Sequence, residues 1–120
     1  MKVLIIDDDA DIRFVAAMSL RGGGGIDVVE ASGGLDGVCK ACEEQPDVIL
    51  LDMMMPKMDG SQTIAALRMQ RETATTPVIF LTAKTIVAEI QGMKDLGAAG
   101  VLIKPFDPRT LAADLLALLT

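Results

Sequence analysis

Five short runs of Val, Ile and Leu mark the chain, and each is followed by a stretch long enough to form a helix. The runs are Val3–Ile6, Ile26–Val29, Val48–Leu51, Val78–Leu81 and Val101–Ile103. They lack polar alternation, which favours strands that are covered on both faces. A last stretch, Pro108–Leu119, carries leucines at helical spacing and ends the series. The pattern predicts five strands that alternate with five helices.

Connections of helical length between the strands imply a parallel sheet, because parallel neighbours need a crossover and such crossovers are right-handed. Five strands are too few to close a barrel, so we expect an open sheet with helices on both faces. In sheets of this kind, ligands bind at the carboxyl ends of the strands, where the strand order reverses. Functional side chains are therefore expected in the residues that directly follow each run.

The charge balance of the 120 residues is acidic, with 17 Asp and Glu against 11 Lys and Arg and a net charge of −6. This excess argues against electrostatic binding of nucleic acid or of an anionic membrane. No apolar run approaches the ~18 residues of a membrane span, and no leader with a cleavage site is recognisable. We expect one domain over residues 1–120, located in the cytoplasm; a continuation beyond Thr120 stays open. The Gly22–Gly25 segment is expected to form a flexible turn without a function.

Two cysteines form a C-x-x-C pattern at Cys39 and Cys42, a spacing that occurs in redox pairs and in zinc sites. The chain has no histidine and no other cysteine, so a four-ligand zinc site would need carboxylates. The helical register of Leu35–Glu44 turns Cys39 outward and leaves Cys42 near the boundary of the core. We expect two unpaired thiols without a role, and a redox pair is the alternative.

Reactive side chains follow four of the five runs. Asp7 and Asp8 follow the first run, and Asp52, Thr82 and Lys104 follow the third, fourth and fifth. If these strands are neighbours, three carboxylates and one ammonium share a pocket of charge −2, which one divalent cation would balance. Oxygen ligands without His or Cys favour Mg²⁺ or Mn²⁺. A cation, a carboxylate, a hydroxyl and a lysine together are suited to phosphoryl transfer.

Four motifs in a fixed order extend this pattern over most of the chain. They are Ile5–Asp9, Leu50–Asp52 followed by Met55-Pro56 and Asp59-Gly60, Leu81–Ala83, and Lys104–Phe106. Each motif alone is weak, whereas the ordered set is highly specific. From Lys2 to Leu119 the chain resembles the receiver domain of bacterial two-component response regulators. The resemblance implies a flavodoxin-like (βα)5 fold, a doubly wound five-stranded parallel sheet of strand order 2-1-3-4-5.

The resemblance also assigns the phosphoacceptor and the metal ligands. Asp52 would take a phosphoryl group from phosphohistidine on a sensor histidine kinase or a histidine phosphotransfer protein. Asp8, Asp52 and the backbone carbonyl of Met54 would hold Mg²⁺, while Asp7 would act mostly through water. The output partner is not identified by these residues. Such a domain promotes only its own phosphorylation and dephosphorylation, so we do not expect an enzyme that acts on a separate substrate.

Other residues are expected around the bound phosphoryl group. Thr82 would donate its hydroxyl and Lys104 its ammonium, and the backbone N–H groups of Ala83, Met53 and Met54 would complete the cradle. Two positions are expected to tune the lifetime of the phosphoryl group because they border the path of attacking water. They are Met54 and Lys84, two residues after Asp52 and Thr82 respectively.

The fifth strand departs from the commonest family pattern, because the position of an aromatic switch residue holds Val101. Valine is stiff at χ1 and too short to move between exposed and buried sites. We therefore expect the fourth helix and the loop before it to rearrange, exposing Ile86, Val87 or Ile90. A homodimer through the fourth helix and fifth strand is one expected use of that surface. The Lys104–Pro105 peptide bond is expected to be cis, as in the family.

Other phosphoryl or metal sites fit less well. A haloacid-dehalogenase-type phosphatase would need a threonine where Asp11 stands and an acidic motif after Lys104. An EF-hand loop would need a glycine where Ile12 stands and a glutamate where Met18 stands. The glycine-lysine motif of a P-loop is absent from the sequence. A degenerate receiver that acts as a scaffold without phosphorylation is the remaining alternative.

Overall fold

A computed structural model describes residues 1–23 and 25–119, and it consists of one sheet with helices on both faces. Strands β1 to β5 span Lys2–Ile6, Asp27–Ala31, Val48–Asp52, Val78–Thr82 and Gly100–Ile103. Helices α1 to α5 span Ala10–Gly22, Gly34–Glu44, Gly60–Met69, Val87–Asp95 and Leu111–Leu118. A short 3₁₀ helix, Arg71–Thr73, precedes β4. Gly24, within the predicted Gly22–Gly25 turn, and Thr120 lie outside the described residues.

All strand pairs are parallel, and the strand order is β2-β1-β3-β4-β5. This order confirms the predicted doubly wound (βα)5 sheet. The register pairs Ile6 with Leu51, Asp52 with Leu81 and Thr82 with Ile103. Because β1, β3, β4 and β5 are adjacent and end at the same edge, the residues that follow them lie side by side. The order reverses between β1 and β3, which is where such sheets bind ligands.

Two apolar layers cover the central strands. Successive side chains of a strand point to opposite faces, so Val3 and Ile5 pack with α1 and α5, while Leu4 and Ile6 pack with α2 and α3. All residues of β3 and β4 are buried. The prediction of strands covered on both faces is therefore correct at the centre of the sheet.

The edge strand β2 differs from its prediction. It begins at Asp27, one residue after the predicted start, and runs on to Ala31, because these five residues pair with Lys2–Ile6 of β1. Ile26 lies outside the ladder, where it packs into the core with 6% of its surface exposed. Since only one neighbour pairs with β2, Asp27 is exposed and the middle of the strand is half-buried.

The last helix begins later than its sequence pattern predicts. Pro108 lies in a turn that is closed by a hydrogen bond from the Thr110 N–H to the Asp107 carbonyl, at 3.0 Å. The Asp107 carboxylate accepts a second hydrogen bond from the Arg109 N–H at 2.9 Å. These local bonds favour a turn over a helix, so α5 begins only at Leu111.

Both cysteines are free thiols, as predicted, and Cys39 is exposed while Cys42 is partly buried. Burial, together with the negative charge of Glu72, raises the pKa of Cys42. None of the helices in the described ranges combines the length and the apolar character that crossing a bilayer requires.

Two glycines in the interiors of helices test how tightly the layers pack. A Cβ added to Gly37 in α2 would lie 2.5 Å from Cδ1 of Ile6 and 2.8 Å from its Cγ1, whereas one at Gly92 in α4 would meet nothing within 4 Å. Ile6 is fully buried and β-branched, so it cannot move aside cheaply. We expect Gly37→Ala to lower the free energy of unfolding by about 1–2 kcal/mol. We expect Gly92→Ala to raise it by up to about 1 kcal/mol through helix propensity.

Urea denaturation of both variants measures this difference from the change in midpoint at constant slope. Equal stabilisation by the two substitutions would contradict the close contact between α2 and β1.

Candidate functional site

The carboxyl edge of the sheet brings two buried carboxylates and one lysine together. Asp7 follows β1 with none of its surface exposed, and Asp52 ends β3 with 4% exposed. The Lys104 ammonium follows β5 and lies 3.2 Å from Asp7 Oδ2 and 3.1 Å from Asp52 Oδ1. These residues are 97 and 52 positions from Lys104 in sequence. Only the strand order makes them neighbours, as the analysis of the strand ends predicts.

Backbone contacts hold Asp7 in place. Its carboxylate accepts a hydrogen bond from the Asp9 N–H at 2.9 Å, and its carbonyl accepts one from Arg13 Nη1 at 2.7 Å. Asp9 in turn caps α1, because its side chain accepts from the N–H groups of Asp11 and Ile12. Arg13 is a residue that the sequence analysis misses. Its position in the second turn of a helix carries no motif, and its role depends on where α1 packs.

The three carboxylates are spaced to share a cation. Oxygens of Asp7, Asp8 and Asp52 all lie within 4.8 Å of one another, and Asp8 is exposed at the mouth of the cluster. Magnesium binds oxygen ligands at about 2.0–2.1 Å, so ligands of one ion lie up to about 4 Å apart. Within the described ranges, no hydrogen bond uses the backbone carbonyl of Met54, which leaves it available as a further ligand. The three carboxylates therefore lie close enough for a small divalent cation to bind among them, either directly or through water.

Burial controls the ionisation of this cluster. Burial and the negative charge of Asp7 raise the pKa of Asp52 to about 6, against the opposing effect of Lys104. Burial lowers the pKa of Lys104, but the hydrogen bond to Asp52 and the charges of both carboxylates outweigh it and leave the pKa raised. At neutral pH, Asp52 is therefore mostly ionised and Lys104 fully protonated. An ionised, poorly solvated carboxylate is well suited to act as a nucleophile.

Hydrogen-bond donors for a ligand surround Asp52, although two of the predicted backbone donors are engaged in this structure. The Met54 N–H points at Asp52 Oδ1 over 3.3 Å. No hydrogen bond within the described ranges engages the Ala83 N–H, and Ala83 is exposed. In contrast, the Met53 N–H donates to the Leu81 carbonyl at 3.1 Å. The ladder between β3 and β4 thus continues one residue past β3 and, in this structure, uses the N–H that is expected to contact a phosphoryl group.

Thr82 lies at the end of β4, next to the lysine strand. Its side chain is buried, and its hydroxyl oxygen accepts a hydrogen bond from the Lys84 N–H at 3.1 Å. Its carbonyl accepts from the Lys104 N–H at 2.7 Å. The Lys104–Pro105 peptide bond is cis, as expected. Hydrogen bonds from two backbone N–H groups therefore connect Thr82 to Lys104 and to the loop that carries Lys84.

The Asp59-Gly60 motif has a structural role that the sequence analysis does not specify. Asp59 caps α3 in a capping box with Gln62, and its hydrogen bonds from Ser61 and Gln62 lower its pKa. A Cβ on Gly60 would lie 2.7 Å from the Met53 Cα. Glycine is therefore needed where α3 starts against the end of β3. This close approach fixes the backbone immediately after Asp52.

Two grooves open beside the carboxylates. The first has a volume of about 500 Å³ and is lined mainly by apolar side chains together with Lys104. The second has a volume of about 300 Å³ and is lined by Met53, Met54, Lys84, Glu89, Gly92, Met93 and Leu96. Met54 is 66% exposed, so it borders the site without closing it. Both predicted tuning residues, Met54 and Lys84, therefore lie in one groove.

Comparisons with family models, with related sequences and with solved structures all identify the same family. The model of the response regulator receiver domain matches residues 3–116. RpaA of Synechocystis sp., a DNA-binding dual master transcriptional regulator, is 43% identical over 119 residues, which cover 98% of this chain and 48% of RpaA. The protein PilG of Pseudomonas aeruginosa is 35% identical over 111 residues, 92% of this chain and 82% of PilG. The chain thus spans about half the length of RpaA and most of the length of PilG.

The fold comparison agrees with the sequence comparison. The structure of the chemotaxis protein CheY4 of Vibrio cholerae superposes with a TM-score of 0.90 at 38% identity, covering 98% of this chain and 97% of that one. These matches favour neither the phosphatase nor the scaffold alternative. The chain belongs to the response regulator receiver domains, the phosphoacceptor modules of two-component signalling.

Proposed function

We propose that Asp52 is the residue that accepts the phosphoryl group, from phosphohistidine on a sensor histidine kinase or a histidine phosphotransfer protein. The observation that carries this proposal is the Lys104 ammonium, 3.1 Å from Asp52 and 3.2 Å from Asp7. It compensates two buried carboxylates, and it stands where a transferred phosphoryl group would bring new negative charge. Response regulators interact with histidine kinases and with output partners.

The hydrogen bonds of Asp52 indicate which of its oxygens reacts. Oδ1 accepts hydrogen bonds from Lys104 and from the Met54 N–H, whereas none within residues 1–23 and 25–119 uses Oδ2. Oδ2 therefore attacks the phosphorus, the P–N bond breaks, and the donor imidazole leaves with that electron pair. Lys104, the Thr82 hydroxyl and the N–H groups of Met54 and Ala83 then hold the phosphoryl oxygens.

The acidic cluster would bind the divalent cation that this chemistry needs. Receiver domains of this family bind Mg²⁺ in general. Asp8, Asp52 and the Met54 carbonyl would hold Mg²⁺ directly and Asp7 mostly through water, and Mn²⁺ has the same preference for oxygen. When bound, the cation neutralises charge on the phosphoryl oxygens.

The domain acts as a switch. Receiver domains of response regulators generally do not act on a separate substrate. We propose that residues 1–120 form one receiver unit that promotes only its own phosphorylation and dephosphorylation. A phosphodonor of this kind implies a cytoplasmic location for the chain.

The first prediction concerns the acceptor itself. With Mg²⁺ and acetyl phosphate, the parent protein should gain one labile phosphoryl group, and Asp52→Ala should gain none, because Asp7, the other buried carboxylate beside Lys104, already uses both of its oxygens as hydrogen-bond acceptors. Intact-mass analysis or Phos-tag gels measure the uptake. Asp114→Ala, at an exposed aspartate of α5, is the matched control and should label like the parent.

Two further variants separate the roles within the pocket. Asp8→Ala should weaken Mg²⁺ binding, and Lys104→Ala should permit some phosphorylation but uncouple it from signalling. Persistent labelling of Asp52→Ala would contradict the acceptor assignment.

Met54 and Lys84 are proposed to lengthen the life of the phosphoryl group. Met54 offers no group that could orient an attacking water, and Lys84 can pair with phosphoryl oxygens. An asparagine at position 54 could hydrogen-bond that water. We therefore expect the phosphoryl group to decay about two- to tenfold faster in Met54→Asn than in the parent protein. The decay of both phosphorylated proteins, followed after removal of acetyl phosphate, measures the effect. Met69→Asn, at a methionine that is 84% exposed at the end of α3, is the control; equal or slower decay in Met54→Asn would contradict the proposal.

The surface around α4 is proposed to carry the signal. Val101 is half-buried against the α2–α3 side of the core, so it has no exposed position from which an inward flip could start. Ile86 and Val87, just before and at the start of α4, are 62% and 80% exposed, and Ile103 of β5 is 37% exposed. An apolar surface of this kind suits a partner protein or a second copy of the chain.

Beryllofluoride with Mg²⁺, which stands in for the phosphoryl group, tests this signalling surface. We expect NMR shifts centred on residues 82–96 with an unchanged Val101 rotamer, because the loop after Thr82 is exposed and the strand is packed. Sedimentation should then detect a homodimer through α4 and β5, and Val87→Lys should abolish it. A Val101 rotamer change coupled to Thr82, or shifts confined to the acidic pocket, would contradict the proposal.

A further inference from the structure

An ion pair spans the groove next to the phosphoacceptor. The Lys84 ammonium lies 3.3 Å from Oε1 of Glu89, and their side chains are 43% and 39% exposed. Glu89 lies in the first turn of α4, where the helix dipole favours a negative charge. Lys84 lies in the loop between β4 and α4. The pair therefore joins a loop that follows Thr82 to a helix that begins three residues after Lys84.

The same lysine is anchored to the phosphoacceptor pocket. Its backbone N–H donates to the Thr82 hydroxyl at 3.1 Å. Its side chain lines the groove that Met53 and Met54 also line, directly after Asp52. Because the backbone of Lys84 is held there and its side chain is long and exposed, the ammonium is free to turn from Glu89 toward a phosphoryl group on Asp52.

We propose that Glu89 is a positioning residue, which sets the lifetime of the aspartyl phosphate by competing with it for Lys84. The inference rests on the proposed function, in which Asp52 carries the phosphoryl group and Lys84 prolongs it. In the unphosphorylated protein Glu89 holds the ammonium. In the phosphorylated protein, the carboxylate and the more highly charged phosphoryl group compete for the ammonium. The stronger the hold of Glu89, the faster the phosphoryl group is lost.

The size of the effect follows from the exposure of the pair. Exposed ion pairs are weak, so releasing Lys84 from Glu89 corresponds to a change in lifetime of about 1.5- to fivefold. The effect should decrease as salt is added, because the groups are solvated and screening acts on them. Neither residue contributes to the core, so the variants are expected to fold.

A double-mutant cycle tests the competition. The rate of phosphoryl loss is measured for the parent, Glu89→Gln, Lys84→Met and the double variant, after labelling with acetyl phosphate and Mg²⁺. We expect Glu89→Gln to lengthen the lifetime about 1.5- to fivefold and to have no effect in the Lys84→Met background. Asp95→Asn is the matched control, because it removes the same charge from the last residue of α4, where Asp95 pairs with Gln91. It should leave the lifetime unchanged.

The outcomes separate this inference from the proposed function. Equal lengthening by Glu89→Gln with and without Lys84 would mean that Glu89 acts by its charge alone, and would overturn the competition. An unchanged lifetime in Glu89→Gln would overturn it as well. A parent protein that takes up no phosphoryl group at Asp52 would overturn the proposed function and this inference with it.

Discussion

The site depends on one lysine, whose positive charge reduces the repulsion between two buried carboxylates. Asp7 and Asp52 are both almost fully buried, and like charges at such positions repel strongly. The Lys104 ammonium lies about equally close to both, at 3.2 and 3.1 Å. It does not completely offset burial and this repulsion, since the pKa of Asp52 stays raised, at about 6. A net negative pocket that is only partly compensated favours the binding of a divalent cation.

This arrangement costs stability. A carboxyl whose pKa is higher in the folded than in the unfolded chain destabilises the fold when it is ionised, and the penalty disappears as the pH falls through the folded pKa. Because the pKa of Asp52 is raised to about 6, this penalty is present at neutral pH. The packed layers on both faces of β1 and β3 offset it, which is why the reactive group lies at the end of the most deeply buried strands.

The two sides of the pocket differ in how firmly they are held. On the acidic side, Arg13 binds the Asp7 carbonyl, Asp9 caps α1, and Gly60 lets α3 start against Met53. On the other side, the loop after Thr82 is exposed and carries Lys84 on a long side chain. The acidic side of the pocket is therefore held by more contacts than the exposed loop on the other side. That division suits the proposed switch, in which phosphorylation of Asp52 changes the surface around α4.

Much of this protein is determined by its sequence alone. The spacing of the apolar runs is sufficient for the alternation of strands and helices, because parallel strands need helical crossovers. The residues at the strand ends are sufficient for the acidic pocket, since a sheet of order 2-1-3-4-5 places the ends of β1, β3, β4 and β5 along one edge. Only the tertiary structure decides the details that depend on contacts between elements. The start of α5 after the Asp107 turn, the use of the Met53 N–H by β4, and the hold of Glu89 on Lys84 are such details. Each is a choice between alternative partners for one group, and local sequence does not specify which partner the packing brings within reach.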